Sequence, residues 1–145
     1  MNQLKSRLRQ HFVNENKDRS IFRKNIGRAL LNKVQDPFLE QWNLDLTTRE
    51  AKEQYERFID SQKQQEVEKE VSDYIQNYFS FLVFQVDDKQ KRLTLESKII
   101  STVSLCNDCH ATNSWLGLDA PNKKYGKAGY GSLMNYTRNH YQKWN

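Results

Sequence analysis

Two side chains suited to phosphate chemistry stand four residues apart near the start of the chain, Arg7 and His11. At that spacing on a helix they share one face. The Arg7 guanidinium suits bidentate contact with a phosphate, and the His11 imidazole suits proton transfer or a phosphate contact. An ordinary basic helix face contains the same pair. A third candidate is Glu96, flanked by Leu95 and Ile99 of an apolar stripe. A carboxylate beside a core stripe can be held rigidly at a cleft edge. That suits a Mg2+ ligand, because Mg2+ binds through one or two carboxylates plus waters and substrate phosphate. The plainer reading is a surface glutamate paired with Lys98 or Arg92. Finally, Cys106-x-x-Cys109-His110 matches the pattern of c-type haem attachment and equally supplies three ligands of a zinc site, with His140 as a fourth. Haem attachment needs export, and the polar, basic N-terminus has no apolar leader. Zinc is the stronger metal reading, and buried or incidental thiols are the plain alternative.

These residues need elements to position them. Leu4, Leu8 and Phe12 repeat every four residues and predict a helix over residues 2–13. Ser20 can cap a second helix whose stripe is Phe22, Ile26, Leu30 and Val34. Arg23, Lys24 and Arg28 lie off that stripe and are expected to stay exposed. Gly27 sits inside this helix at a cost of about 1 kcal/mol relative to Ala and permits a close helix contact. Asp36-Pro37 ends the helix, and Phe38, Leu39, Trp42, Leu44 and Leu46 form an apolar linker. Thr47 to Glu50 matches a capping box, so a long polar helix is predicted over residues 49–78, with a polar joint at 61–65 that can divide it. Residues 79–86 read as a buried strand, apolar on both faces. Residues 92–105 return to helical period through Leu95, Ile99 and Val103. The tail from Asn107 is irregular. One strand cannot pair its own backbone groups. Its neighbours are expected from the tail, from a second copy in a homodimer, or from a partner chain. The fold class expected is therefore α+β, a mostly helical chain around a small sheet.

A chain of 145 residues suits one domain, 1–145, with a helical insertion over residues 48–78 and the irregular tail over 107–145. Hydrophobic residues make up 37%, but seven Phe, seven Tyr and three Trp can still build a modest core. No apolar run is long enough to span a membrane. With no leader either, a cytoplasmic protein with reduced cysteines is expected. Charge is distributed unevenly. Residues 1–35 hold nine Lys/Arg against two Asp/Glu, a net of +7; residues 36–78 hold five against eleven, −6; residues 79–145 hold nine against five, +4. Basic ends suggest an anionic partner, and nucleic acid gains affinity from Lys and Arg through counterion release. Lys5, Arg9, Arg23, Lys24 and Arg28 are the candidate contacts. A solvated basic face is the plain alternative.

Taken in order, these residues resemble the GIY-YIG nuclease family, in its bacterial restriction and mobile-element branch. Residues 4–12, with Arg7 and His11, resemble the family's first helix. Glu96 within residues 93–100 is similar to the metal-binding glutamate after the third strand, which residues 81–86 would supply. Residues 106–117 are similar to the tail of one bacterial branch, where an asparagine follows the glutamate; Asn113 is the candidate and Asn107 the second choice. The resemblance implies a DNA endonuclease that hydrolyses phosphodiester bonds with one divalent metal, Mg2+ or Mn2+. In it Arg7 steadies the phosphate and Glu96 holds the metal, with His11 and Asn113 beside them. It also implies two strands and two tyrosines before the first helix. The expectation is thus a GIY-YIG-like core with its N-terminal hairpin missing and with activity of this chain alone in question. The alternatives are a non-catalytic DNA-binding remnant or partner protein, and a small zinc-binding module.

Overall fold

The structure, a computed structural model, describes residues 2–105 and 112–121. The chain divides into two compact units, Met1–Ser80 and Phe81–Asn145. The first is helical: α1 (Asn2–Phe12), α2 (Ile21–Lys33), α3 (Leu39–Asn43), α4 (Arg49–Tyr55) and α5 (Ser61–Tyr78), with short 3-10 turns at Lys17–Arg19 and Glu56–Phe58. In the second, α6 (Lys89–Leu105) is followed by a 3-10 turn at Leu116–Asp119.

The core of the first unit follows from spacing. Val67, Val71 and Ile75 recur every four residues on α5 and are buried with Leu31 of α2, Trp42 of α3, Phe38, Leu46 and Ile59. Phe12, Phe22, Ile26 and Leu30 pack against that cluster. Trp42 lies directly over Gly27. A Cβ there would stand 2.3 Å from the indole ring, so α2 and α3 approach this closely only because position 27 has no side chain. The indole N–H donates to the Lys24 carbonyl at 3.0 Å. The apolar linker expected after Pro37 is thus partly helical and carries the most buried aromatic ring.

Helix ends are fixed by side chains that satisfy otherwise orphaned N–H groups. Ser20 accepts from the Arg23 N–H, Thr48 from the Ala51 N–H, and Asp60 from the Lys63 N–H. Thr48, and not Thr47 of the capping-box pattern, therefore begins α4. Asp60 begins α5, so of the two readings for residues 49–78, one long helix or two, the structure has two, and the break falls at Ile59 and Asp60, just before the polar joint. At the end of α2, Gln35 turns into the left-handed region at φ 55. The Asp36 N–H then reaches back to the Leu31 carbonyl at 2.9 Å and the Gln35 N–H to Asn32 at 3.1 Å, a Schellman close.

The α+β expectation is overturned. Among the described residues there is no strand and no sheet, and the described architecture is all-helical. Residues 79–88 run between α5 and α6 without regular structure, and they are not buried: Leu82 is 77% exposed and Phe84 64%. Strand propensity records how well a residue fits a paired, half-covered surface. No described segment offers this run a ladder, so its β-branched and aromatic composition does not make it a strand.

Candidate functional site

Arg7 stands at the middle of α1 and His11 one turn later, in its last turn. Arg7 is exposed and His11 half-buried. The structure brings this pair together as the spacing predicted, and it grips His11 from α2. The Ser20 hydroxyl lies 2.8 Å from His11 Nδ1. Arg23 Nη1 donates to the His11 carbonyl at 3.3 Å, and Phe22 meets the imidazole edge-on at 6.0 Å. Burial, then the charge of Arg7, then that of Arg23 push the His11 pKa below its ordinary 6.5. Each of these favours the neutral ring over the imidazolium.

The basic residues of α2 depart from expectation. Arg23 and Lys24 do not stay exposed: their residues are 0% and 6% accessible. Arg23 forms a fork with Glu68 of α5, donating from Nε at 3.1 Å and from Nη2 at 2.8 Å, and it also reaches the Glu68 carbonyl and Ser72 Oγ, each at 2.8 Å. The backbone N–H of Lys17 donates to the other Glu68 oxygen. Burial raises the Glu68 pKa, against the pull of the Arg23 guanidinium and of Lys17. Lys17 is itself buried, with its ammonium on Asp18 at 2.8 Å and the Leu44 carbonyl at 2.7 Å, 5.6 Å from the Trp42 ring. Burial, helped by the charge of Lys17, pushes the Lys24 ammonium below its ordinary value. The expected exposure of Arg23 and Lys24 is thus corrected: both lie in the interior. Lys5 and Arg9 remain exposed, and Arg28 is half-exposed, bonded to Asn43 and Asn25.

Glu68, Lys17 and Ser72 were missed as site-supporting residues. One signal was available: Glu68 sits three residues before Val71 and seven before Ile75, a carboxylate at a core position of an apolar stripe. Such a group is buried only with a partner.

Glu96 and Asn113 belong to the second unit. Glu96 faces solvent on α6 at a shallow groove lined by Phe84, Val86, Leu95 and Ile99, with Arg92 one turn earlier. Asn113 is exposed in the turn before Leu116–Asp119. A solvent-facing carboxylate fits the donor chemistry of Mg2+, whose shell is completed by waters and substrate oxygens. Among the described residues no three His, Cys, Asp or Glu cluster as a metal cage. The zinc candidates Cys106, Cys109, His110 and His140, and the second-choice Asn107, lie outside the described residues. No described helix is long and apolar enough to cross a membrane.

No curated protein and no solved structure matches the chain. A family model does, over residues 1–142, and its description is GIY-YIG domain.

Proposed function

The chain belongs to the GIY-YIG family, a superfamily of nucleases, and on that premise we propose that it is a DNA endonuclease hydrolysing phosphodiester bonds with one divalent metal. The observation that carries the reading is the pair on α1. Arg7 projects from the exposed part of the helix, while His11 one turn later is held by Ser20, which caps α2, and by Arg23 within it. In this reading the Arg7 fork binds two oxygens of the scissile phosphate, which neutralises charge and fixes orientation. His11, held by Ser20 and Arg23, contacts the same phosphate. Lys5, Arg9 and Arg28 add backbone contacts that set affinity and its salt dependence without reading sequence. Glu96 would hold the metal, Mg2+ or Mn2+, and Asn113 is assigned beside it. A bound divalent ion supplies charge stabilisation at the phosphate.

Relaxation of supercoiled plasmid in Mg2+ tests the proposal. Wild-type protein is expected to nick, EDTA to abolish nicking, and Glu96→Ala to lower the rate by at least about 100-fold, the scale of losing a transition-state contact. Binding without nicking would favour the DNA-binding alternative. Nicking that survives Glu96→Ala unchanged would remove Glu96 from the site.

A further inference from the structure

The Ser20 hydroxyl holds a position that decides where the proton of His11 sits. Ser20 is 1% exposed, so each of its polar functions must be met inside the protein. Its oxygen caps α2 by accepting from the Arg23 N–H at 3.2 Å. A backbone N–H can only donate, so that contact leaves the hydroxyl proton without an acceptor. Among the described residues, the acceptor within reach of that proton is His11 Nδ1, at 2.8 Å. The opposite arrangement, with Nδ1 donating to Ser20, places two donors on the oxygen and buries an unmet O–H, at a cost of about 1–3 kcal/mol.

We propose that Ser20 is a positioning residue that keeps the His11 proton on Nε2, so that His11 serves the site as a hydrogen-bond donor to a phosphate oxygen and not as a general base. The donor role rests on the nuclease reading given above; the tautomer does not. An imidazole whose Nδ1 lone pair is engaged by the Ser20 hydroxyl and whose Nε2 carries hydrogen has no free lone pair with which to take a proton from water. The same helix end fixes the backbone, because Arg23 holds the His11 carbonyl at 3.3 Å while Ser20 holds the ring. The surroundings agree. The charged groups acting on His11 are Arg7 on its own helix and Arg23 on α2, and Arg23 is itself bonded to Glu68 of α5. Nothing in that set favours an imidazolium. Phe22 at the ring edge further limits rotation.

Nitrogen and carbon NMR of the uniformly labelled 145-residue chain reads the tautomer directly, with His11 assigned by loss of its signals in His11→Gln. Above the titration, wild-type protein is expected to show a protonated Nε2 and an acceptor-type Nδ1. Ser20→Ala is expected to raise the His11 titration midpoint by roughly half to one pH unit, the size of one net hydrogen bond to the neutral ring. Ser20→Thr keeps both hydroxyl and cap and is expected to retain the wild-type midpoint. A protonated Nδ1 in the wild type overturns the proposal, as does a midpoint unmoved in Ser20→Ala. The wild-type spectrum stands even if Ser20→Ala fails to fold. Because none of these readings needs DNA, they separate the tautomer from the nuclease assignment, which plasmid nicking tests by itself.

Discussion

Arg23 donates to Glu68, to Ser72 and to the His11 carbonyl from a position without solvent. It thereby ties α1, α2 and α5 at one point, and its partner Glu68 has no other cation within bonding distance among the described residues. Removing one member of a buried pair strands the other in a low-dielectric interior, at about 3–5 kcal/mol. Arg23→Ala is therefore expected to lower unfolding stability by that amount in urea titration. Arg9→Ala, at an exposed position of equal charge, should change it by less than about 0.5 kcal/mol. Equal effects at the two positions would show that the Arg23 network does not carry the fold. The contrast also separates the two kinds of basic residue in this region. Of the nine Lys and Arg in residues 1–35, Lys17, Arg23 and Lys24 are interior, so the surface that can meet a polyanion is narrower than the charge count implies.

At the scale of elements, α2 and α3 meet through Gly27 and Trp42. Gly27→Ala adds helix propensity but places a methyl group 2.3 Å from a buried, hydrogen-bonded indole. The clash should win, with a net loss of about 1–3 kcal/mol from overpacking and a change in Trp fluorescence on the folded protein. A gain in stability would mean that the indole has room to move. The elements that sequence made legible are those whose information is local. α1 and α2 follow from four-residue stripes, and Ser20 was readable as a cap. The close approach at Gly27 was readable as an option, though not its partner. What was not legible depends on contacts distant in sequence. Arg23 and Lys24 lie off the apolar stripe of α2 and were expected to be solvated. The carboxylate that makes Arg23 a core residue lies 45 positions away. The run at 79–86 has strand composition without a described partner, and pairing is a property of two segments. At the site, Arg7 and His11 were readable as a pair from their spacing, whereas the grip of Ser20 and Arg23 on His11 required the fold.

For the whole molecule, the residues assigned to phosphate chemistry fall on both compact units: Arg7 and His11 on the first, Glu96 and Asn113 on the second. The family match runs through both, over residues 1–142. The charge of the first 35 residues serves two purposes, interior ion pairs and an exposed α1 face. The central claim is that this face handles the scissile phosphate and does not merely attract DNA. Arg7→Lys tests it most directly, because it keeps the charge and removes the planar fork. The measurement is the single-turnover rate of plasmid nicking in Mg2+, with DNA affinity determined in parallel. The account predicts a fall in rate of about 100-fold or more with affinity changed only a few-fold. An unchanged nicking rate in Arg7→Lys would contradict it.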